Sequence, residues 1–277
     1  MSHLMDRVSR LVLTTLAVAA CSRAEKPVGT VAAPPPAPNT VHVEANDYSF
    51  TAPDSLPSGV TTFHLMNGGK EAHHLVLIRM AIADLQKMNP AGPPPADLVV
   101  SGGANAAIPG GTAEGTVDLL PGNYTMVCMI PAADGVLHMM KGMLRPLVVT
   151  QGTSTAVMPA TDITVKLGDY SFEFSAPLTA GHHMLGIENA GQQMHEMLVV
   201  KLNPGKKVED FAKWAEKPNG PPPGAVLNGG APMTTGVFNV VPVDLTPGEY
   251  GLICFVPDLK DQKPHFLHGM MKQITVM

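Results

Sequence analysis

The chain has 277 residues, 15% of them charged, with a formal net charge of −5, 27 glycines and 27 prolines. That length accommodates two domains of ordinary size, and the composition favours short strands and many turns over long amphipathic helices. Beyond the N-terminal segment there is no block of Lys or Arg, so the electrostatic footprint of a nucleic-acid binder is missing. No Ser-His-Asp order or Gly-rich phosphate loop points to a hydrolase or a nucleotidase.

Arg7 and Arg10 precede an apolar run, Leu11 to Ala20, too short to span a bilayer but suited to the core of a signal peptide over 1–20. It ends Val18-Ala19-Ala20-Cys21, which resembles the lipobox of bacterial lipoproteins. The resemblance implies cleavage before Cys21, a lipid on its sulfur, and a membrane anchor facing the periplasm or the cell surface. Ser22 points towards the outer membrane. The alternative is an ordinary signal peptide cut nearby, with Cys21 incidental. Residues 21–40 are rich in Ala and Pro and read as a semi-rigid tether. Export to an oxidising compartment leaves Cys128 and Cys254 as two further thiols that need a reason.

From Val41 onward a pattern runs twice. Asp47-Tyr48-Ser49-Phe50 is matched by Asp169-Tyr170-Ser171-Phe172. The run from Asn67 to His73 is matched by that from Asn189 to His195, and Pro121-Gly122-Asn123-Tyr124 by Pro247-Gly248-Glu249-Tyr250. The offset is 122 from His73 to His195 and 127 from Met143 to Met270. This is a whole domain duplicated in tandem, 41–151 and 160–277, with a boundary near Gln151 to Ala160. Runs such as Thr61 to Met66, Gly115 to Leu120, Tyr124 to Met129 and Pro146 to Thr150 predict strands. Short helices are predicted at Ile82 to Met88 and Val208 to Glu216. The expected fold class is all-β, two tandem Greek-key β-sandwiches, each with a short helical insertion.

Each copy closes on the same chemistry. Cys128 is followed by His138 and Met143; Cys254 is followed by His265 and Met270. In both, Met lies five residues after the His. Thiolate and thioether are soft donors and imidazole suits copper, so two His, one Cys and a weak axial Met tolerate both Cu(I) and Cu(II). On these residues each copy resembles a cupredoxin, the blue (type 1) copper domain of plastocyanin and azurin. The resemblance implies the ligand sets His73, Cys128, His138 and Met143, and His195, Cys254, His265 and Met270, with one His from the loop after an Asn/Gly-rich turn. The sequence departs from the family in its Cys-to-His spacing, nine intervening residues in one copy and ten in the other.

The plainer readings make Cys128 and Cys254 buried strand residues or a disulfide. His74 adjoins His73, but the second copy has Glu196 there. His268 is matched by Lys141 and reads as a surface residue, His182-His183 as exposed strand, and His42 and His64 as structural. Met139-Met140 and Met270-Met271 suit either irregular packing or Cu(I). The leading expectation is electron transfer by one or two type 1 copper centres, with a periplasmic or membrane redox protein as partner and the membrane reached through the lipid. The alternatives are Cu(I) handling, or a metal-free interaction protein. An enzyme is not expected: two-domain cupredoxin enzymes place a His beside the Cys or in His-x-His pairs, and here Cys128 is flanked by Val127 and Met129, and Cys254 by Ile253 and Phe255.

Overall fold

The computed structural model describes residues 36–88, 95 and 97–277. The signal peptide 1–20, Cys21 and most of the 21–40 tether lie outside the described residues. The first strand already begins at Asn39, inside the expected tether.

In the first half the strands are β1 Asn39–Asn46, β2 Ser49–Thr51, β3 Ser55–Pro57, β4 Gly59–Asn67, β5 His73–Ile78, β6 Val100–Ala107, β7 Thr112–Leu119, β8 Gly122–Val127 and β9 Leu144–Thr150. In the second they are β10 Ile163–Gly168, β11 Ser171–Phe174, β12 Gly181–Asn189, β13 His195–Leu202, β14 Gly224–Met233, β15 Phe238–Leu245, β16 Gly248–Ile253 and β17 Met271–Val276. The pattern of β1 shows why strands form: Val41, Val43 and Ala45 are buried while Thr40, His42 and Glu44 are exposed, the period of two that one covered face demands. β5 and β13 are almost wholly buried along their length, which is the mark of strands covered on both faces.

Helix α1 is shorter than expected, Ile82–Leu85, whereas α2 spans Val208–Glu216 as predicted. α2 buries Val208, Phe211 and Ala212, the three- and four-residue spacing of one helix face. Those residues join Ile253 and Phe266 in a cluster on the outer face of the sheet. The Asp210 carboxylate accepts from the Lys207 backbone N–H at 2.9 Å and closes the first turn.

Two sheets carry the whole described chain. One runs β11-β10-β12-β15-β7-β4-β1-β2, the other β17-β16-β13-β14-β6-β5-β8-β9-β3. Both cross from one half to the other, through Val240↔Thr116 and through Gly230↔Ala104 and Met233↔Ser101. Two separate sandwiches were expected; the sheets are instead continuous. Buried side-chain amides lock the crossing. Asn105 donates to Gly230 O at 2.8 Å, Asn228 to Glu114 O at 2.9 Å, and Asn239 to Ser101 O at 3.0 Å. The hydrophobic interior nevertheless divides in two. One core runs from Val41 to Val149 and includes Cys128 and Met143; the other runs from Ile163 to Val276 and includes Cys254 and Met270. Among the described residues no helix is long and apolar enough to cross a membrane.

Candidate metal centres

The tight turn between β1 and β2 sets up the first site. Asn46 pairs with Ser49, so only Asp47 and Tyr48 turn the chain, and Tyr48 takes a left-handed φ of 66°. Tyr170 repeats this at 67°. A non-glycine residue there is strained and persists where the surroundings over-determine it. Here the turn aims Asp47 at the loop before β5, where its carboxylate accepts from the Lys70 backbone N–H at 2.8 Å and meets His73 Nε2 at 3.2 Å. Asn67 ties the same loop: its amide donates to Glu71 O and Ala107 O, and its oxygen accepts from the Gly69 N–H. Gly69 is needed for close approach, because a Cβ would lie 2.4 Å from Asp47 Oδ1 and 2.8 Å from His73 Nε2.

The return segment supplies the rest. After β8 the chain makes a small finger closed by a bridge between Pro131 and Leu137. His138 N then donates to Ile130 O at 2.9 Å, and a single 3₁₀ turn, His138–Lys141, carries the imidazole back over the cysteine. Met143 N donates to His138 O at 3.0 Å, and Cys128 N to Met143 O at 3.3 Å. The long Cys-to-His spacing is therefore a folded finger, and Cys, His and Met remain on one hydrogen-bonded knot. The second half does the same, with the bridge at Pro257 and Pro264, the turn at His265–His268, and Met270 bonded to His265 and Cys254.

All eight expected ligands are fully buried. His73 Nδ1 and His138 Nδ1 face each other at 3.1 Å, and Cys128 Sγ is 3.5 Å from His138 Nδ1. The corresponding distances for His195, His265 and Cys254 are 3.0 and 3.5 Å. In the first site the outer nitrogens are engaged, His73 Nε2 by Asp47 and His138 Nε2 by Glu71 at 2.6 Å. Nε2–H donors satisfy both carboxylates, and neutral rings in that tautomer turn two bare lone pairs towards each other. A cation between them removes the conflict. Donor separations of 3.0 to 3.5 Å are those of ligands sharing one ion at roughly 2.0–2.3 Å. The carboxylates behind the rings fix tautomer and orientation as such partners do in metal sites. In the second site Asp169 engages His195 Nε2 at 2.8 Å, while His265 Nε2 lies 3.8 Å from Asp258 and is a buried nitrogen with no partner.

Burial sets the protonation. It pushes the Cys128 thiol up to about 12 and raises Cys254 further, with Glu196 adding to the effect. It lowers His73 and His195 against the pull of their aspartates, and holds His265 down to about 4. Without a metal, burial thus favours the neutral thiol of each cysteine and the neutral rings of His73, His195 and His265. A soft cation that takes the thiolate matches this donor set, and two imidazoles and a thiolate with a thioether nearby fit copper.

The plainer readings are resolved residue by residue. Cys128 and Cys254 are both free and lie in separate cores, so no disulfide joins them. His74 points elsewhere, its Nε2 accepting from the Met129 N–H at 2.7 Å. His268 is exposed and meets Asp261. His42 and His64 lie on β1 and β4, with His64 paired to Glu114. His182 is exposed, but His183 is not: it is buried against Asp162 and Thr179 O, a correction to the exposed-strand reading, because only alternate residues of β12 face outward. Met140 is exposed, while Met139 and Met271 pack in outer clusters. Sequence reasoning missed Asp47, Asp169, Glu71 and Asp258. The repeated Asp-Tyr-Ser-Phe was the available signal for the first two.

No family model matches the chain, and no curated protein does. Among solved structures the chain is similar to auracyanin A, a blue copper protein from Chloroflexus aurantiacus, at 20% identity over 41% of this chain and 99% of that one, TM-score 0.32. It is similar to a blue copper oxidase from Nitrosomonas europaea at 15% identity over 85% of each chain, TM-score 0.27. A copper nitrite reductase from the same organism matches at 13% identity over 86% of this chain and 93% of that one, TM-score 0.25. Two of these three are named as enzymes, so the expectation that the chain is not an enzyme does not stand. With scores this low, the metal assignment rests on the donors themselves.

Proposed function

We propose that the chain is an exported, membrane-tethered copper protein that transfers electrons through two type 1 sites, His73, Cys128, His138 and Met143 in one cupredoxin-like Greek-key half (41–151) and His195, Cys254, His265 and Met270 in the other (160–277). The observation that carries this is the pair of facing Nδ1 atoms beside a buried Sγ, found twice at the same spacing. Copper there supplies a one-electron Cu(I)/Cu(II) couple. The protein's part is rigidity. The imidazoles are pinned from behind by Asp47, Glu71 and Asp169, and the Cys-His-Met knot is closed by backbone hydrogen bonds. Donors held this way need little rearrangement between oxidation states, which suits electron transfer. Burial of the ligands excludes water from the centre. Anchoring through Cys21, a position in the periplasm or on the cell surface, and a membrane or periplasmic redox partner complete the reading.

The test is a visible spectrum with metal quantitation of the full chain titrated with Cu(II), repeated on Cys128→Ser and Cys254→Ser. Two coppers per chain and an intense thiolate-to-copper band, halved by each substitution, support the reading. Tightly held Cu(I) without colour moves it to copper handling, and no metal at all refutes it.

A further inference from the structure

The residue directly after the first histidine of each site does the same structural task with different chemistry. His74 and Glu196 are both buried, and each clamps its cysteine twice. The backbone N–H of His74 donates to Cys128 Sγ, and that of Glu196 to Cys254 Sγ, each at 3.5 Å. The side chains then accept the amide that follows the cysteine. Met129 N–H donates to His74 Nε2 at 2.7 Å, and Phe255 N–H to Glu196 Oε1 at 3.0 Å. Around this clamp the halves match in the number of carboxylates, although Asp258 stands 3.8 Å from His265 Nε2 where Glu71 lies 2.6 Å from His138 Nε2. Asp47 and Glu71 stand behind the imidazoles of one site, Asp169 and Asp258 behind those of the other. The clamp itself breaks the balance, with an imidazole in one half and a carboxylate in the other. Among the described residues no cation pairs with Glu196.

We propose that His74 and Glu196 are positioning residues that set the two sites to different reduction potentials, the Glu196 site lying lower. Burial raises Glu196 above the usual carboxylate range; in its ionised form, held against the amide next to the thiolate, it favours the more positive, oxidised ion, and in a low-dielectric interior its field is weakly screened. An imidazole that accepts through a bare ring nitrogen carries no net charge. The inference rests on the copper reading above and adds that the duplicated sites are unequal.

The experiment uses the copper-loaded full chain at pH 8, with Cys128→Ser isolating the second site and Cys254→Ser the first. Spectroelectrochemical titration gives each potential, and the visible band reports whether the site is intact. The second site is expected to lie below the first. Glu196→Gln, in the Cys128→Ser background, lowers the Cu(II)/Cu(I) ratio at a fixed solution potential by about tenfold, roughly 59 mV for a one-electron couple. His74→Glu, in the Cys254→Ser background, shifts the first site the opposite way. Equal potentials in the two isolated sites, or an unmoved potential in Glu196→Gln with the band intact, overturn the proposal. Should Glu196→Gln bleach its site, His74→Glu decides alone: an unmoved or raised potential sinks the idea. A chain that takes up no copper before any substitution refutes the copper reading itself, and is distinguished by that.

Discussion

The buried thiols make the metal-free protein sensitive to alkali in a way that can be worked out. An unfolded cysteine titrates at about 9, whereas burial pushes folded Cys128 up to about 12 and raises Cys254 further. Between those values the folded state binds the extra proton, so stability falls as pH rises, and it is fully present only below the unfolded value. At about pH 10 one decade of this window has been crossed, a loss on the order of 1 kcal/mol for each thiol and about twice that for both. The assay is urea unfolding of the metal-free chain at pH 8, 9 and 10, alongside Cys128→Ser, Cys254→Ser and the double variant. Other groups titrate in this range, so the quantity read is the difference in slope between parent and variants. Each single variant is expected to lose about half of the cysteine-dependent slope and the double variant all of it. Identical slopes in parent and double variant would show that the thiols are not buried and neutral as described.

Other consequences follow from named contacts. Asp47→Ala and Asp169→Ala remove the carboxylate behind one imidazole of each site, and are expected to weaken copper binding at that site by about 10–100-fold in a chelator competition while far-UV circular dichroism stays unchanged. Gly69→Ala places a Cβ 2.8 Å from His73 Nε2, so it should abolish the visible band of the first site and spare the second. Asn105→Ala leaves the Gly230 carbonyl at the junction of the halves without its buried donor, and should cost about 1–3 kcal/mol in urea unfolding with both copper bands retained. Copper loading replaces a thiol proton at each site, so at pH 7 it should release about one proton per copper and bind more tightly as pH rises.

The repeat and the ligand types were legible in the sequence because they depend on local order. A strand alternates every two residues wherever it lies, and a Cys-His-Met knot closed by adjacent backbone bonds must keep its residues on one segment. Helix α2 was legible for the same reason, its buried face recurring at Val208, Phe211 and Ala212. The continuity of the sheets was not. It depends on pairings such as Met233 with Ser101, more than a hundred residues apart, made by Gly-rich strands with little side-chain pattern of their own. In β6 and β14 Gly103 and Gly229 take positive φ, where a Cβ would strike Leu75 O or Met197 O. These glycines allow close packing of strands in the fold.

The groups behind the ligands show a sharper limit. In both halves the first histidine is held by the aspartate of the same hairpin, and comparison of the copies finds it. The second histidine is held by Glu71 in one half, from the loop before β5. The matching position in the other half is Gln193, which cannot accept in the same way as a carboxylate. The acidic group there comes instead from Asp258, on the finger, where Tyr170 OH and Gln193 Nε2 both donate to it. An amide at the old position thus orients a carboxylate at a new one, and the charge behind the ring is kept although neither residue matches. The fit is looser, 3.8 Å against 2.6 Å, and leaves His265 Nε2 without a partner. The same task has two solutions because what the site requires is an acceptor in a place, and a sequence comparison registers residues in an order.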